Sequence, residues 1–204
     1  MAHTHTASHV EGNQQRLMAT LAVTVTVFIV EVVAAFITDS LALLTDAGHM
    51  LTDVSVLVAS TITAILMRRK PNSTRTWGWA RLEVITAACG ALVLLFVGIY
   101  ALFEACMRLF GDSETAISDV RLLLFVGILG LVANIVSITI LSSQRGDNMN
   151  MKAAFLEVMN DALGSVAVVA SALVMLTTGW DKFDAIAGGI IALMMIPRAI
   201  KLLH

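Results

Sequence analysis

Long apolar stretches broken by short polar clusters set the pattern of this chain. Six hydrophobic runs, approximately 17–37, 41–67, 82–107, 120–141, 151–176 and 183–203, lie near the roughly 20 residues that a helix needs to cross about 30 Å of hydrocarbon. Turn-forming groups separate them: Thr38, Asp39 and Ser40 after the first run, Lys70, Pro71 and Asn72 after the second, Gly146, Asp147 and Asn148 after the fourth. The pattern predicts an all-α integral membrane bundle of six transmembrane helices over 16–204, preceded by a polar tail, 1–15, that carries His3, His5 and His9. The first run is too long for a removable signal peptide and lacks a small-residue cleavage site, so it is read as a retained helix. The sixth has the shortest clean apolar portion, and its Arg198 and Lys201 are expected to snorkel to the interface.

Composition agrees with lipid as the solvent. Of the 204 residues, 58% are hydrophobic and only 14% charged, against about a quarter charged in a soluble domain. The mean hydropathy is +0.86. A formal net charge of -2 and the lack of a basic face argue against a nucleic-acid partner. Cys89 and Cys106 share one predicted helix at about 25 Å separation, too far apart to pair. No hydrolase nucleophile motif, phosphate loop or cofactor fingerprint is present, so an enzyme is not expected.

Of the 13 Lys and Arg residues, ten fall on one side of a six-helix scheme: Arg16, Arg68, Arg69, Lys70, Arg75, Arg81, Arg145, Lys152, Arg198 and Lys201. Arg108, Arg121 and Lys182 are left on the other. The asymmetry predicts that both termini are cytoplasmic, in a multi-pass cell (inner) membrane protein.

Ionisable residues inside a spanning helix each cost about 2.5 to 3.5 kcal/mol on insertion scales, so they tend to face a cavity or a partner. Here they come in pairs. His49 and Asp53 are four apart on the second helix, and Glu157 and Asp161 are four apart on the fifth, so each pair shares one helix face. Counting from Leu41, His49 lies about 12 Å and Asp53 about 18 Å into the membrane. Counting from Met151 at the opposite boundary, Glu157 lies about 9 Å and Asp161 about 15 Å deep, which brings the pairs level near mid-membrane. One imidazole and three carboxylates at one depth make a four-coordinate site that suits zinc. Carboxylates also suit manganese, and imidazole also suits iron or cobalt, so ligand type narrows the metal without fixing it. A metal needs neutral His and ionised carboxylates, whereas an empty buried trio of carboxylates is expected to hold protons. Such a site couples metal to proton movement if it faces the two sides alternately. The competing reading is a buried structural hydrogen-bond network.

The run SLALLTDAGHMLTD from Ser40 resembles the cation diffusion facilitator family of metal/proton antiporters. Glu31, the stretch from Trp77 through Gly78, Trp79, Ala80, Arg81 and Leu82 to Glu83, Glu104, Asn134, and Asp161 through Ser165 also resemble family positions, so the similarity covers nearly the whole chain. The resemblance implies a six-helix fold, a homodimer, and export of a divalent metal by rocking of helices around a site carried by His49, Asp53, Glu157 and Asp161. No prosthetic group is implied; the metal is cargo, with zinc first and manganese, iron, cobalt or cadmium as alternatives. Glu157 departs from the more usual His, and Gly90 stands where an Asn is common. The family's C-terminal cytoplasmic domain does not follow before His204, so a short form is expected, and with it the dimer contacts that domain provides come into question.

Secondary candidates follow from position. Asp46, one turn before His49, is a candidate to orient that imidazole or relay protons, with a helix-packing contact as the alternative. Glu31 and Asn134 read either as pathway lining or as interhelical contacts. The tail histidines read as metal capture or as a neutral tail. The Met residues read as packing. Gly164, Ser165, Gly188 and Gly189 are small enough for close helix approach. Two other function classes remain open at this point: a passive cation channel built on the same carboxylates, and a non-transporting metal sensor or scaffold.

Overall fold

The structure is a computed structural model that describes residues 22–67, 80–111, 117–142 and 149–203, with backbone only for 56–67, 80–84, 149–154 and 202. The His-containing tail, the start of the first run, the loop with Pro71, the Trp77 to Trp79 stretch and the Gly146 turn lie outside the described residues.

Six helices are present among the described residues, and no strand. They are α1 (Ala22–Thr38), α2 (Leu41–Met67), α3 (Ala80–Phe110), α4 (Val120–Ser142), α5 (Met149–Thr178) and α6 (Lys182–Leu203). Each coincides with one of the six runs, and α3 extends past its predicted end to Phe110. Among the described residues, four stretches are long and apolar enough to cross a membrane: Ile85–Phe110, Val120–Ser142, Phe155–Thr178 and Lys182–Lys201.

The radial distribution of side chains shows which solvent the bundle is built for. Phe36, Phe96, Phe103, Phe110 and Phe125 lie on the outside, while Glu31, Thr45, Asp46, His49, Thr52, Asn134, Ser137, Asp161, Ser165 and Asp184 are buried. A water-soluble bundle does the reverse; large apolar groups outside and polar groups inside are stable only when lipid surrounds the protein. Much of the apolar interior is alanine, including Ala34, Ala35, Ala42, Ala172, Ala187 and Ala199, which lets helix backbones approach closely.

Helix termini are fixed by local chemistry. α1 stops at Asp39, whose φ of 57° takes the chain out of the helix, a conformation that Asp tolerates better than most residues. Ser40 then caps α2, its Oγ accepting the Leu43 amide at 3.1 Å. Asp119 caps α4 by accepting the amides of Arg121 and Leu122, each at 3.0 Å. Gly179, at φ +67°, ends α5 with its amide on the Met175 carbonyl.

Across the bundle, α3 packs on α6 and on α2, α4 packs on α5, and α6 also touches α2 and α5. The contact between α2 and α5 is smaller, and it is where the sequence places the paired polar residues. Asp184 in the first turn of α6 fixes the axial register. Its Oδ1 accepts the Ser40 hydroxyl at 2.6 Å and its Oδ2 accepts the Leu41 amide at 2.6 Å and the Ala42 amide at 3.4 Å. The two amides are first-turn donors of α2 that no carbonyl of that helix can reach. At the same end Arg108 donates to the Asp39 carbonyl at 2.9 Å and to Glu104 Oε1 at 2.9 Å, and Lys182 donates to the Leu109 carbonyl at 3.1 Å. Gly188 lets α6 sit directly on the start of α2, since a Cβ there would stand 3.1 Å from the Ala42 amide nitrogen.

Candidate metal centre

With α2 and α5 antiparallel and side by side, the two i,i+4 pairs face one another. His49, Asp53, Glu157 and Asp161 each present one ligand atom, and these atoms all lie within 4.8 Å of one another. His49 and Asp161 are buried; Asp53 and Glu157 are half-buried. His49 Nε2 stands 3.7 Å from both Asp53 Oδ2 and Asp161 Oδ1. Four donors around a tetrahedral zinc are separated by roughly 3.4 Å, given metal–ligand bonds of about 2.0 to 2.2 Å. The cluster therefore needs only a small contraction to close on such an ion. Asp53 Oδ2 and Asp161 Oδ1 are buried without a hydrogen-bond partner, as polar atoms awaiting a ligand would be, and the outer ring nitrogen of His49, Nδ1, is likewise unpartnered.

The sequence reading missed one participant. Arg198, expected at the interface, instead reaches inward from α6. Its Nη1 is 3.1 Å from His49 Nε2, its Nη2 donates to Asp53 Oδ1 at 3.1 Å, and the same Nη2 bonds Glu157 Oε1. Only Lys201, one turn further on, remains exposed. The reason is axial register: Asp184 is tied to the start of α2, and Arg198 lies 14 residues beyond it, about 21 Å down the axis. Asp53, 12 residues beyond Leu41, is about 18 Å down the neighbouring helix. That register was the usable signal, and Asp184 itself had not been singled out.

The secondary candidates separate. Asp46 is buried against α5, close enough to Gly164 that a Cβ there would come within 2.1 Å of Asp46 Oδ1. It does not orient the imidazole, because His49 Nδ1 and Asp46 Oδ1 both lack a hydrogen-bond partner. Asn134 makes an interhelical contact, donating to Ser165 Oγ at 3.1 Å. Glu31 is buried against α4, where Gly130 leaves room for its carboxylate, and neither of its oxygens has a hydrogen-bond partner. Glu104 pairs with Arg108 away from the cluster. Cys89 and Cys106 are free and exposed, as their spacing requires. Met50, Met175 and Met195 pack in the core and Met107, Met159 and Met194 face outward, consistent with a packing role.

Fold and polar centre together define an all-α, multi-pass membrane bundle with a buried His and carboxylate cluster between two antiparallel helices. The cation efflux transmembrane domain matches residues 17–204, and the chain belongs to the cation efflux family. It is 40% identical over 194 residues to the metal cation efflux system protein CzcD of Cupriavidus metallidurans, covering 95% of this chain and 60% of that protein. It is 36% identical over 205 residues to the zinc transporter ZitB of Escherichia coli, covering 99% of this chain and 64% of the relative. A third relative, the cadmium, cobalt and zinc/H(+)-K(+) antiporter of Bacillus subtilis, is 32% identical over 192 residues, covering 93% of this chain and 61% of its own. The chain thus spans about three fifths of the length of these curated relatives.

Proposed function

We propose that this chain carries the transport core of a divalent transition-metal exporter that works by proton antiport, with zinc as the principal cargo and His49, Asp53, Glu157 and Asp161 as the ligands. The observation that carries the reading is the convergence of those four ligand atoms within 4.8 Å between α2 and α5. One imidazole and three carboxylates suit zinc, and each of these groups can hold either a metal or a proton, which is the chemistry exchange requires. The names of the relatives support metal efflux, and the Bacillus relative's name supports exchange against another cation. The role is transport rather than covalent catalysis. With Glu157 the ligand set is more anionic than one with two imidazoles, so manganese, iron, cobalt and cadmium are secondary cargo. Residues 16–204 form the transport domain, 1–15 a cytoplasmic tail, both termini face the cytoplasm, and the working unit in the inner membrane is a homodimer.

The test is ion flux into proteoliposomes of the purified chain for zinc, manganese, iron, cobalt and cadmium, with and without a pH gradient, beside Asp53→Ala. Gradient-dependent zinc flux that falls at least about 100-fold in the variant is expected. Gradient-independent flux would identify a channel, and metal binding without flux a sensor or scaffold.

A further inference from the structure

The guanidinium of Arg198 stands among the proposed ligands, and its chemistry there is specific. Arginine has only donors, so each contact draws on a lone pair of its partner. Nη1 takes the lone pair of His49 Nε2 at 3.1 Å, and Nη2 takes lone pairs of Asp53 Oδ1 at 3.1 Å and of Glu157 Oε1. Those are the electron pairs through which a metal would be held. Three of the four ligands are therefore engaged through one atom each, while Asp161 Oδ1 and the second Asp53 oxygen, Oδ2, are left without a partner. A guanidinium and a metal ion cannot share this position.

The surroundings give the side chain somewhere to go. A cavity of about 290 Å³ adjoins the cluster, lined in part by His49, Met194, Met195, Pro197, Arg198 and Lys201. Pro197 sits inside α6 immediately before the arginine. It has no amide to donate to the Leu193 carbonyl, so this turn is held less firmly than its neighbours.

We propose that Arg198 is a tethered counter-cation, which occupies the metal position when the site is empty, is displaced into the adjoining cavity by an incoming divalent ion, and retakes the ligands as the ion leaves. The proposal rests on the metal-site reading above and adds how that site is emptied. In a low-dielectric interior, carboxylates stripped of any cation are costly, so an ion leaving a site with no substitute charge faces a steep climb. A built-in cation lowers that climb by competing with the cargo, and it weakens cargo binding by the same factor.

The experiment is calorimetric titration of the full chain in detergent with Zn2+ at fixed pH, paired with proteoliposome flux, for the native protein, Arg198→Met and Arg198→Lys. The Met variant keeps an unbranched apolar stem and removes the competing charge. Its Kd for Zn2+ is expected to fall at least about tenfold, with KM and kcat falling together because release becomes slow. Arg198→Lys keeps the charge without the fork and is expected to lie between the two. A Kd that is unchanged or weaker in Arg198→Met would overturn the proposal and leave Arg198 as a structural ion pair. If the Met variant does not fold, Arg198→Lys alone decides: tighter zinc binding than native supports displacement, and equal or weaker binding overturns it. Native protein that binds no zinc at all would instead overturn the metal-site reading and this proposal with it, so the two failures are distinguishable.

Discussion

Two sets of buried carboxylates in this bundle are treated in opposite ways. Asp184 is satisfied on both oxygens, by the Ser40 hydroxyl and by the amides of Leu41 and Ala42. Asp53, about 18 Å deeper, and Asp161 beside it each have a buried oxygen without any hydrogen bond, as do Glu31 and Asp46 nearby. A satisfied acid in a membrane interior fixes geometry and gains nothing from a visitor. An unsatisfied one is stable only with a cation or proton beside it. The difference marks Asp184 as architecture and leaves Asp53 and Asp161 open to the exchange proposed above, although all three are aspartates in apolar helices.

That contrast can be broken experimentally. The largest effect is expected from Asp161→Asn, which removes a ligand charge and no structural hydrogen bond: zinc flux in proteoliposomes should fall at least about 100-fold, while the melting temperature in detergent stays the same or rises. Flux that survived would move Asp161 out of the centre. Asp184→Ala should do the opposite, losing about 3 kcal/mol of stability because three donors are left unpaired in a buried place, with zinc affinity per folded molecule unchanged. A folded variant of native stability would show that the α2 cap is dispensable. Ser40→Ala is the smallest step, removing one donor to Asp184 and the Leu43 cap for about 1 kcal/mol, with transport kinetics at native values. A change in KM there would mean that the two sets of carboxylates are coupled.

Much of this arrangement can be read in the residues, and the unread part has a common cause. Helices were legible because lipid demands long apolar runs, and α2, α4, α5 and α6 lie where those runs lie. The tetrad was legible because helix periodicity places residues four apart on one face, and depth counted from two opposite ends then brings His49 and Asp161 level. Arg198 was not, since a basic residue near the end of an apolar run looks like an interface anchor until the axial offset of α6 is known. That offset is set by Asp184 reaching across to α2, a contact between residues 143 apart in the chain, which no local pattern encodes. For Asp46 only the orienting role is ruled out, for a related reason: facing His49 on the same helix is not enough when Gly164 leaves room for the carboxylate to lie against α5.

The ties among Ser40, Asp39, Arg108, Lys182 and Asp184 all lie at one end of the bundle, joining the α1–α2 turn to the end of α3 and the beginning of α6. Any tilt of α2 would take place about this end, if the ties hold. The 27 residues of α2 then act as a lever about 40 Å long, and a tilt of only 10° about its tied end would carry the far end through about 7 Å. The ligands of α2, less than halfway along, would travel about 2 to 3 Å in the same swing. Such a tilt would displace the ligand atoms of α2 less than half as far as the far end of the same helix.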